Sequence, residues 1–125
     1  MAKKMEDNRL KNKNYLYSWI NAFKGIWYTI KTQTNIKIQL VIGIIVIAAC
    51  IYFKLNWIEC MFLAFATMFI IVIELINTAI ETVVDLYTKE FHPLAKIAKD
   101  VAAGAVVLSA INAVIIAVLI VLSRI

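Results

Sequence analysis

The sequence predicts an all-α membrane protein, with one N-terminal amphipathic surface helix and three transmembrane helices. The chain has 125 residues, of which 63% are apolar and only 17% are charged. A soluble domain of this length exposes more surface than so few polar residues can cover, which points to lipid as the solvent. Three glycines and one proline provide few turn signals, and this favours a few long helices over a sheet or a barrel.

The N-terminal region divides into a polar segment and an amphipathic segment. Residues 1–14 are polar and charged with no apolar repeat, which predicts a mobile tail. Over residues 15–33 apolar residues recur at steps of three and four, as in a helix with one apolar face. Aromatic residues on one face and lysines on the other are typical of a helix in the membrane interface. A soluble helix packed on a core is the alternative interpretation.

Three apolar runs follow, and each is long enough to cross a bilayer. The first span covers residues 36–53, and the second covers 57–87 with a cytoplasmic extension that contains acidic residues. The third lies within 93–122, where Pro93 suits the first turn of a helix. Four weakly polar residues inside the spans are interpreted as packing residues without a chemical role: Cys50, Cys60, Ser109 and Asn112.

Lysine and arginine residues are concentrated on one side of the predicted spans. Eight precede the first apolar run and three separate the second and third spans, whereas the other connector and the C-terminus hold one each. The positive-inside rule therefore predicts a cytoplasmic N-terminus and an extracytoplasmic C-terminus. The net charge of +5 fits a phospholipid surface, and because no nucleic-acid motif is present, nucleic acid is not expected as a partner.

A ladder of polar residues runs along the end of the second span. Its members follow at steps of three, four and four, within an arc of about 80° on one helix face, and they are Glu74, Asn77, Glu81 and Asp85. Carboxylates near a bilayer are costly unless they meet cations or water. Because the helix from Trp57 to residue 73 is about 25 Å long, Glu74 is expected near the inner hydrocarbon boundary. A solvated face that pairs with the basic tail is the alternative.

Basic residues follow in the first two turns of the third helix, where Lys96 and Lys99 precede Asp100. Lysines beside a row of carboxylates suit a site for an anion and a bridging metal, and Mg²⁺ accepts one or two carboxylates together with substrate phosphates. Lys96 and Asp100 also fit a simple surface pair, and His92 fits a helix cap.

Two classes of function remain open from these residues. One is a membrane enzyme that acts on a lipid headgroup with a metal-bound nucleotide, and the other is a small cation transporter or channel subunit. A transporter needs acids near the bilayer midplane and polar residues that continue outward. Apart from Glu59 the outer halves of the spans are apolar, so the enzyme is favoured.

Two segments resemble the small integral-membrane diacylglycerol kinase family of bacteria. Residues 74–85 read ELINTAIETVVD and residues 92–106 read HPLAKIAKDVAAGAV, and the resemblance extends from the Phe23-Lys24-Gly25 region through all three spans. The second segment is similar to the Gram-positive branch, whose members are mainly undecaprenol kinases. The resemblance implies a homotrimeric bundle in the bacterial cell membrane with active sites between subunits. It implies transfer of the γ-phosphate of ATP, with Mg²⁺, to undecaprenol, or alternatively to diacylglycerol.

The resemblance also implies a role for individual residues. The catalytic residues are Glu74, which takes the proton from the lipid hydroxyl, and Asn77, which orients the Glu74 carboxylate or that hydroxyl. The metal-binding residues are Glu81 and Gln33. The family has a glutamate at the position of Gln33, and the glutamine lacks the negative charge of that glutamate. ATP binding falls to Lys13, Asp85, Glu90, Phe91, His92, Lys99 and Asp100. Contact with the lipid substrate falls to Lys24, Trp27, Ile30 and Asn35.

Overall fold

Four helices make up the fold. The computed structural model describes residues 1–125, other than the side chains of Leu10 and Asn12. The helices are α1 (Ala2–Thr32), α2 (Thr34–Tyr52), α3 (Trp57–Tyr87) and α4 (Pro93–Arg124). No strand occurs among the described residues, and α2, α3 and α4 are each long and apolar enough to cross a membrane. The predicted all-α class, with three helices able to span a membrane, is therefore confirmed.

Helix α1 forms one compact unit, residues 1–32, and the remaining residues 33–125 form a second. The segment 1–14, predicted as a mobile tail, is helical from Ala2 onward, so α1 begins well before the predicted start at residue 15. The segment lacks an apolar repeat, but it contains neither glycine nor proline, and Asp7 and Lys11 form an ion pair one turn apart. A missing apolar repeat indicates that no face is buried, and it does not exclude a helix.

Helix α3 packs against both α2 and α4. The turn from α2 into α3 contains Lys54, whose backbone adopts the left-handed conformation at φ 51°. A capping box then starts α3, because the Asn56 side chain accepts from the Glu59 amide while the Glu59 carboxylate accepts from the Asn56 amide. At the same end of the α3–α4 hairpin, Arg124 donates two hydrogen bonds to Glu59. The first turn of α3 and the last turn of α4 are thereby joined.

The buried positions of the single chain are few, and many of them are polar. Small or medium apolar residues such as Ala66 and Ala102 are buried at the helix contacts, whereas most large apolar side chains are exposed. Two buried hydroxyls are satisfied within their own helices, since Thr78 donates to the Glu74 carbonyl and Ser109 to the Val106 carbonyl. The exposed apolar surface fits a protein surrounded by lipid or by other copies of the chain.

Candidate active site

The polar ladder of α3 changes from buried to exposed along its length. Glu74 is 1% exposed and Asn77 is 8% exposed, Glu81 is half-buried, and Asp85 is exposed. From first to last the ladder spans about 16 Å of helix. One face of α3 thus leads from the interior of the helix packing to the solvent beside the α3–α4 connector.

Two buried oxygens of the ladder have no hydrogen-bond partner among the described residues. They are Oε2 of Glu74 and Oδ1 of Asn77. The amide of Asn77 is otherwise engaged, because its Nδ2 donates to Oε1 of Glu81 over 3.2 Å. Buried polar atoms are nearly always paired, so each exception calls for an explanation. Both atoms are acceptors that could take a hydrogen bond from a hydroxyl or coordinate a hard cation.

An ion pair connects the outermost member of the ladder to α4. Nζ of Lys99 donates to Oδ1 of Asp85 over 2.6 Å, and both side chains are about half exposed. An exposed pair of this kind contributes little to stability, and it can exchange its partner at low cost. Lys99 is therefore held at the ladder by a contact that a phosphate group could replace.

A cavity of about 250 Å³ lies beside this ion pair, between the end of α3 and the start of α4. Five of the residues predicted to bind ATP line it, and they are Glu90, Phe91, His92, Lys99 and Asp100. Asp85 reaches the same place through its bond to Lys99. The α3–α4 connector thus brings together most of the predicted nucleotide-binding residues.

Local hydrogen bonds set the shape of this cavity. His92 caps α4, because its Nδ1 accepts from the Leu94 amide over 3.2 Å, and Pro93 follows as the first helical residue. Lys96 pairs with Asp100 one turn along the helix. The cap and the surface pair that the sequence allowed as alternatives for these residues are both present. Neither excludes a contact with a ligand, since all three side chains also line the cavity.

The residue Thr88 lines the same cavity and was missed by the sequence reasoning. Its Oγ1 accepts from the Glu90 amide over 3.1 Å, which shapes the turn that leaves α3. A threonine that directly follows a helix and precedes a short polar segment is a known signal for such a turn. That signal would have added Thr88 to the candidate residues.

The packing of α2 on α3 brings the first turns of α2 beside the ladder. A Cβ at Gly43 would lie 3.4 Å from Cγ2 of Thr67, so these two positions face each other in the antiparallel pair. Two turns further along both helices are Ile36 and Glu74, which are both fully buried. Gln33 directly precedes α2 as its N-cap and lies outside the helical register. Gln33 has an extended backbone and its side chain makes no capping bond to α2.

The ladder carries oxygen atoms of the type that magnesium binds. Among the described residues no three His, Cys, Asp or Glu side chains are clustered. Mg²⁺ does not need such a cluster, because it binds through one or two carboxylates and keeps water and substrate phosphates as its other ligands. The carboxylates of Glu74 and Glu81 and the unpartnered oxygen of Asn77 are donors of the required type.

Most of the predicted lipid-contact residues belong to the compact unit that contains α1. Lys24, Trp27 and Ile30, as well as the ATP candidate Lys13, belong to the unit 1–32. Within that unit the Lys31 ammonium lies 5.5 Å from the centre of the Trp27 ring. Asn35 is exposed in the first turn of α2. The roles of these residues stay predictions.

Comparisons with known proteins give matches along most of the chain. Residues 20–121 match the family described as prokaryotic diacylglycerol kinase. The undecaprenol kinase of Bacillus subtilis strain 168 is 40% identical over 121 residues, which are 95% of this chain and 97% of that protein. A diacylglycerol kinase of Synechocystis is 45% identical over 82% of this chain, but the chain spans only 59% of that relative's length. The diacylglycerol kinase of Escherichia coli K12 is 29% identical over 79% of this chain and 78% of its own length.

Proposed function

The chain belongs to the prokaryotic diacylglycerol kinase family, and we propose that this lipid kinase transfers the γ-phosphate of ATP to the hydroxyl group of undecaprenol. The similarity to the Bacillus subtilis undecaprenol kinase supports this acceptor, because it extends over nearly the full length of both chains. Diacylglycerol is the alternative acceptor, and the Synechocystis relative supports it over a shorter part of its own length.

The unpartnered carboxylate oxygen of Glu74 is the observation that carries the proposal. The lipid hydroxyl donates a hydrogen bond to this oxygen, and its own oxygen attacks the γ-phosphorus of ATP. As the new P–O bond forms, the bond to ADP breaks and the proton passes to the Glu74 carboxylate. Phosphoryl transfer depends on positioning and charge stabilisation more than on covalent chemistry, so few groups suffice.

Asn77 and Glu81 act together in this scheme. The Asn77 amide donates to Glu81, which leaves its carbonyl oxygen free to orient the lipid hydroxyl or the Glu74 side chain. Glu81 and Gln33 would hold Mg²⁺, which supplies positive charge against the phosphates. Because Gln33 offers a neutral amide oxygen where the family has a carboxylate, we expect this chain to bind the metal more weakly.

The nucleotide is bound by the cavity at the α3–α4 connector. Lys99 exchanges Asp85 for a phosphate oxygen, because its present ion pair is exposed and inexpensive to break. The Phe91 ring is 81% exposed beside the cavity and offers a flat face for an adenine ring. Glu90, His92 and Asp100 complete the polar wall, and Lys13 is expected to add a further cation.

The lipid approaches from the bilayer side of the ladder. Trp27 and Ile30 on α1 contact the lipid substrate, with Lys24 near its polar end and Asn35 at the start of α2. The exposed aromatic residues of α1 support a position in the membrane interface. The distribution of lysine and arginine supports a cytoplasmic N-terminus. The cavity at the α3–α4 connector then faces the cytoplasm, where ATP is available.

We further propose that the chain acts as a homotrimer in the bacterial cell membrane. One chain leaves most of its large apolar side chains exposed and cannot enclose a lipid headgroup and a nucleotide by itself. Asn112 supports a neighbouring chain, because its amide is exposed in the middle of the apolar part of α4, where contact with lipid is unfavourable. Native mass spectrometry of the detergent-solubilised protein should give a three-chain mass, and a monomer that retains full kinase activity would contradict the trimer.

The acceptor is tested by offering undecaprenol and diacylglycerol separately in mixed micelles with γ-labelled ATP and Mg²⁺. We expect phosphate to be transferred to undecaprenol with at least tenfold higher kcat/KM. A preference for diacylglycerol would overturn the assignment to undecaprenol but retain the lipid kinase. Transfer to neither lipid would restore the transporter hypothesis.

A further inference from the structure

Both cysteines of the chain lie at the turn between α2 and α3. Cys50 is three residues from the end of the apolar segment 36–53, and Cys60 is in the first turns of α3. Each is a free thiol that is partly exposed. They lie about 20 Å along α3 from the catalytic candidate Glu74, so the proposed kinase mechanism does not use them.

The packing of the two helices sets these thiols opposite each other. Gly43 and Thr67 face each other at the α2–α3 contact, where a Cβ at position 43 would be in van der Waals contact with the Thr67 methyl group. Seven residues, or about two turns, from this contact toward the turn are Cys50 on α2 and Cys60 on α3. Because both helices advance by the same number of turns, both residues return to the facing sides.

The turn itself supports this placement. The amide of Leu55 donates to the Cys50 carbonyl over 3.1 Å, and the Cys60 thiol donates to the Leu55 carbonyl over 3.9 Å. One residue therefore contacts both cysteines. A disulfide requires Cα atoms within about 7 Å of each other, a separation that a close helix pair joined by a short turn provides.

We propose that Cys50 and Cys60 form an intrachain disulfide when the protein meets a small disulfide oxidant. One cysteine thiolate attacks the small disulfide, forms a mixed disulfide and releases one small thiol. The second cysteine attacks the protein sulfur of that mixed disulfide, which forms the Cys50–Cys60 bond and releases the second small thiol. Two protein thiols are oxidised by two electrons, the small disulfide is reduced, and the two protons pass to the released thiols.

The cross-link fastens the outer end of the α2–α3 hairpin. With the membrane orientation proposed above, this turn faces the extracytoplasmic side, where disulfides persist. The inference rests on the helix register and the turn, and it holds for any activity of the protein. The ladder is too distant to be altered, so we expect kcat/KM for the lipid to be the same in the oxidised and reduced protein.

The test uses the full chain in detergent micelles, incubated with oxidised glutathione, quenched with acid, denatured, alkylated with N-ethylmaleimide and measured by intact mass spectrometry. We expect the two alkylatable thiols of the wild type to be lost, with no glutathione attached and with the chain still monomeric in non-reducing SDS gels. Cys50→Ser and Cys60→Ser are the matched controls, and each should retain one thiol that is alkylated or carries glutathione. Two alkylated thiols, two attached glutathiones, or a disulfide between chains in the wild type would each overturn the proposal.

Discussion

Two regions of α3 use a glutamate in opposite ways. In the first turn of α3, the Glu59 carboxylate accepts from the Asn56 amide and from two nitrogens of Arg124, so the acid is surrounded by donors. Near the middle of α3, the Glu74 carboxylate is almost completely buried, and Oε2 has no partner among the described residues. The same side chain therefore serves as a paired structural group in one place and as an unpaired acceptor in the other.

This difference supports the proposed catalytic role of Glu74. A paired carboxylate that also caps a helix stabilises the fold. To accept a hydrogen bond from a substrate, it would have to give up one of its present partners, which costs free energy. A buried carboxylate without donors destabilises the fold, because it has lost its hydrogen bonds to water and no protein donor replaces them. Unsatisfied groups of this kind are expected where a ligand or substrate completes the site.

The largest expected effect is a loss of turnover on substitution of Glu74 that substitution of Glu59 does not cause. Glu74→Gln keeps the shape of the side chain and removes the proton acceptor, so turnover should fall about 100- to 10,000-fold, the range of general base catalysis. ATP binding should be retained, because the nucleotide cavity lies further along the hairpin. Glu59→Gln is the matched control and should retain most of the activity. Turnover by Glu74→Gln close to that of the wild type would show that another group takes the proton.

A smaller effect is expected at the ion pair between α3 and α4. Lys99→Met removes the cation that we assign to a phosphate, and the loss of a charge-assisted hydrogen bond should raise KM for ATP by roughly tenfold or more. Lys96→Met, one turn earlier on α4, removes a lysine that is paired with Asp100, and should change KM less. Steady-state kinetics with varied ATP measure both variants. Equal increases of KM for ATP in Lys99→Met and Lys96→Met would contradict the assignment of Lys99 to a phosphate group.

A gain of activity is expected at Gln33. Gln33→Glu introduces a charged oxygen at the position that we propose as a metal ligand, so the rate at limiting Mg²⁺ should rise several-fold. At saturating Mg²⁺ the variant and the wild type should converge, which serves as the internal control. A titration of the initial rate against Mg²⁺ measures the effect. Unchanged half-saturation would show that residue 33 is not a metal ligand in this chain.

The smallest expected effect concerns the Glu59 end. Arg124→Gln removes the cation that joins the last turn of α4 to Glu59, and the thermal unfolding midpoint should fall by a few degrees with kcat/KM unchanged. Because the two residues form one contact, Glu59→Gln combined with Arg124→Gln should destabilise less than the sum of the single variants. Thermal scans of the solubilised protein test this. Additive shifts would mean that the two residues act independently.

Periodicity and composition were sufficient to predict the three apolar helices and the face that the ladder residues share. The steps between Glu74 and Asp85 depend only on the geometry of one helix, so the sequence shows which residues share a face. Contacts between helices depend on packing and on the connectors, so the pairing of Lys99 with Asp85 and of Arg124 with Glu59 was not predictable. The helical state of residues 1–14 was missed because an apolar repeat signals burial and not helix formation itself.

In the proposed mechanism, Glu74 is kept buried and unpaired for phosphoryl transfer at the expense of stability. The decisive measurement is the thermal unfolding midpoint of Glu74→Gln, made on the same preparation that shows the loss of turnover. We predict a midpoint equal to or above that of the wild type, because a neutral amide is less costly to bury than an unpaired carboxylate. A midpoint lowered as much as that of Glu59→Gln would instead make Glu74 a structural residue.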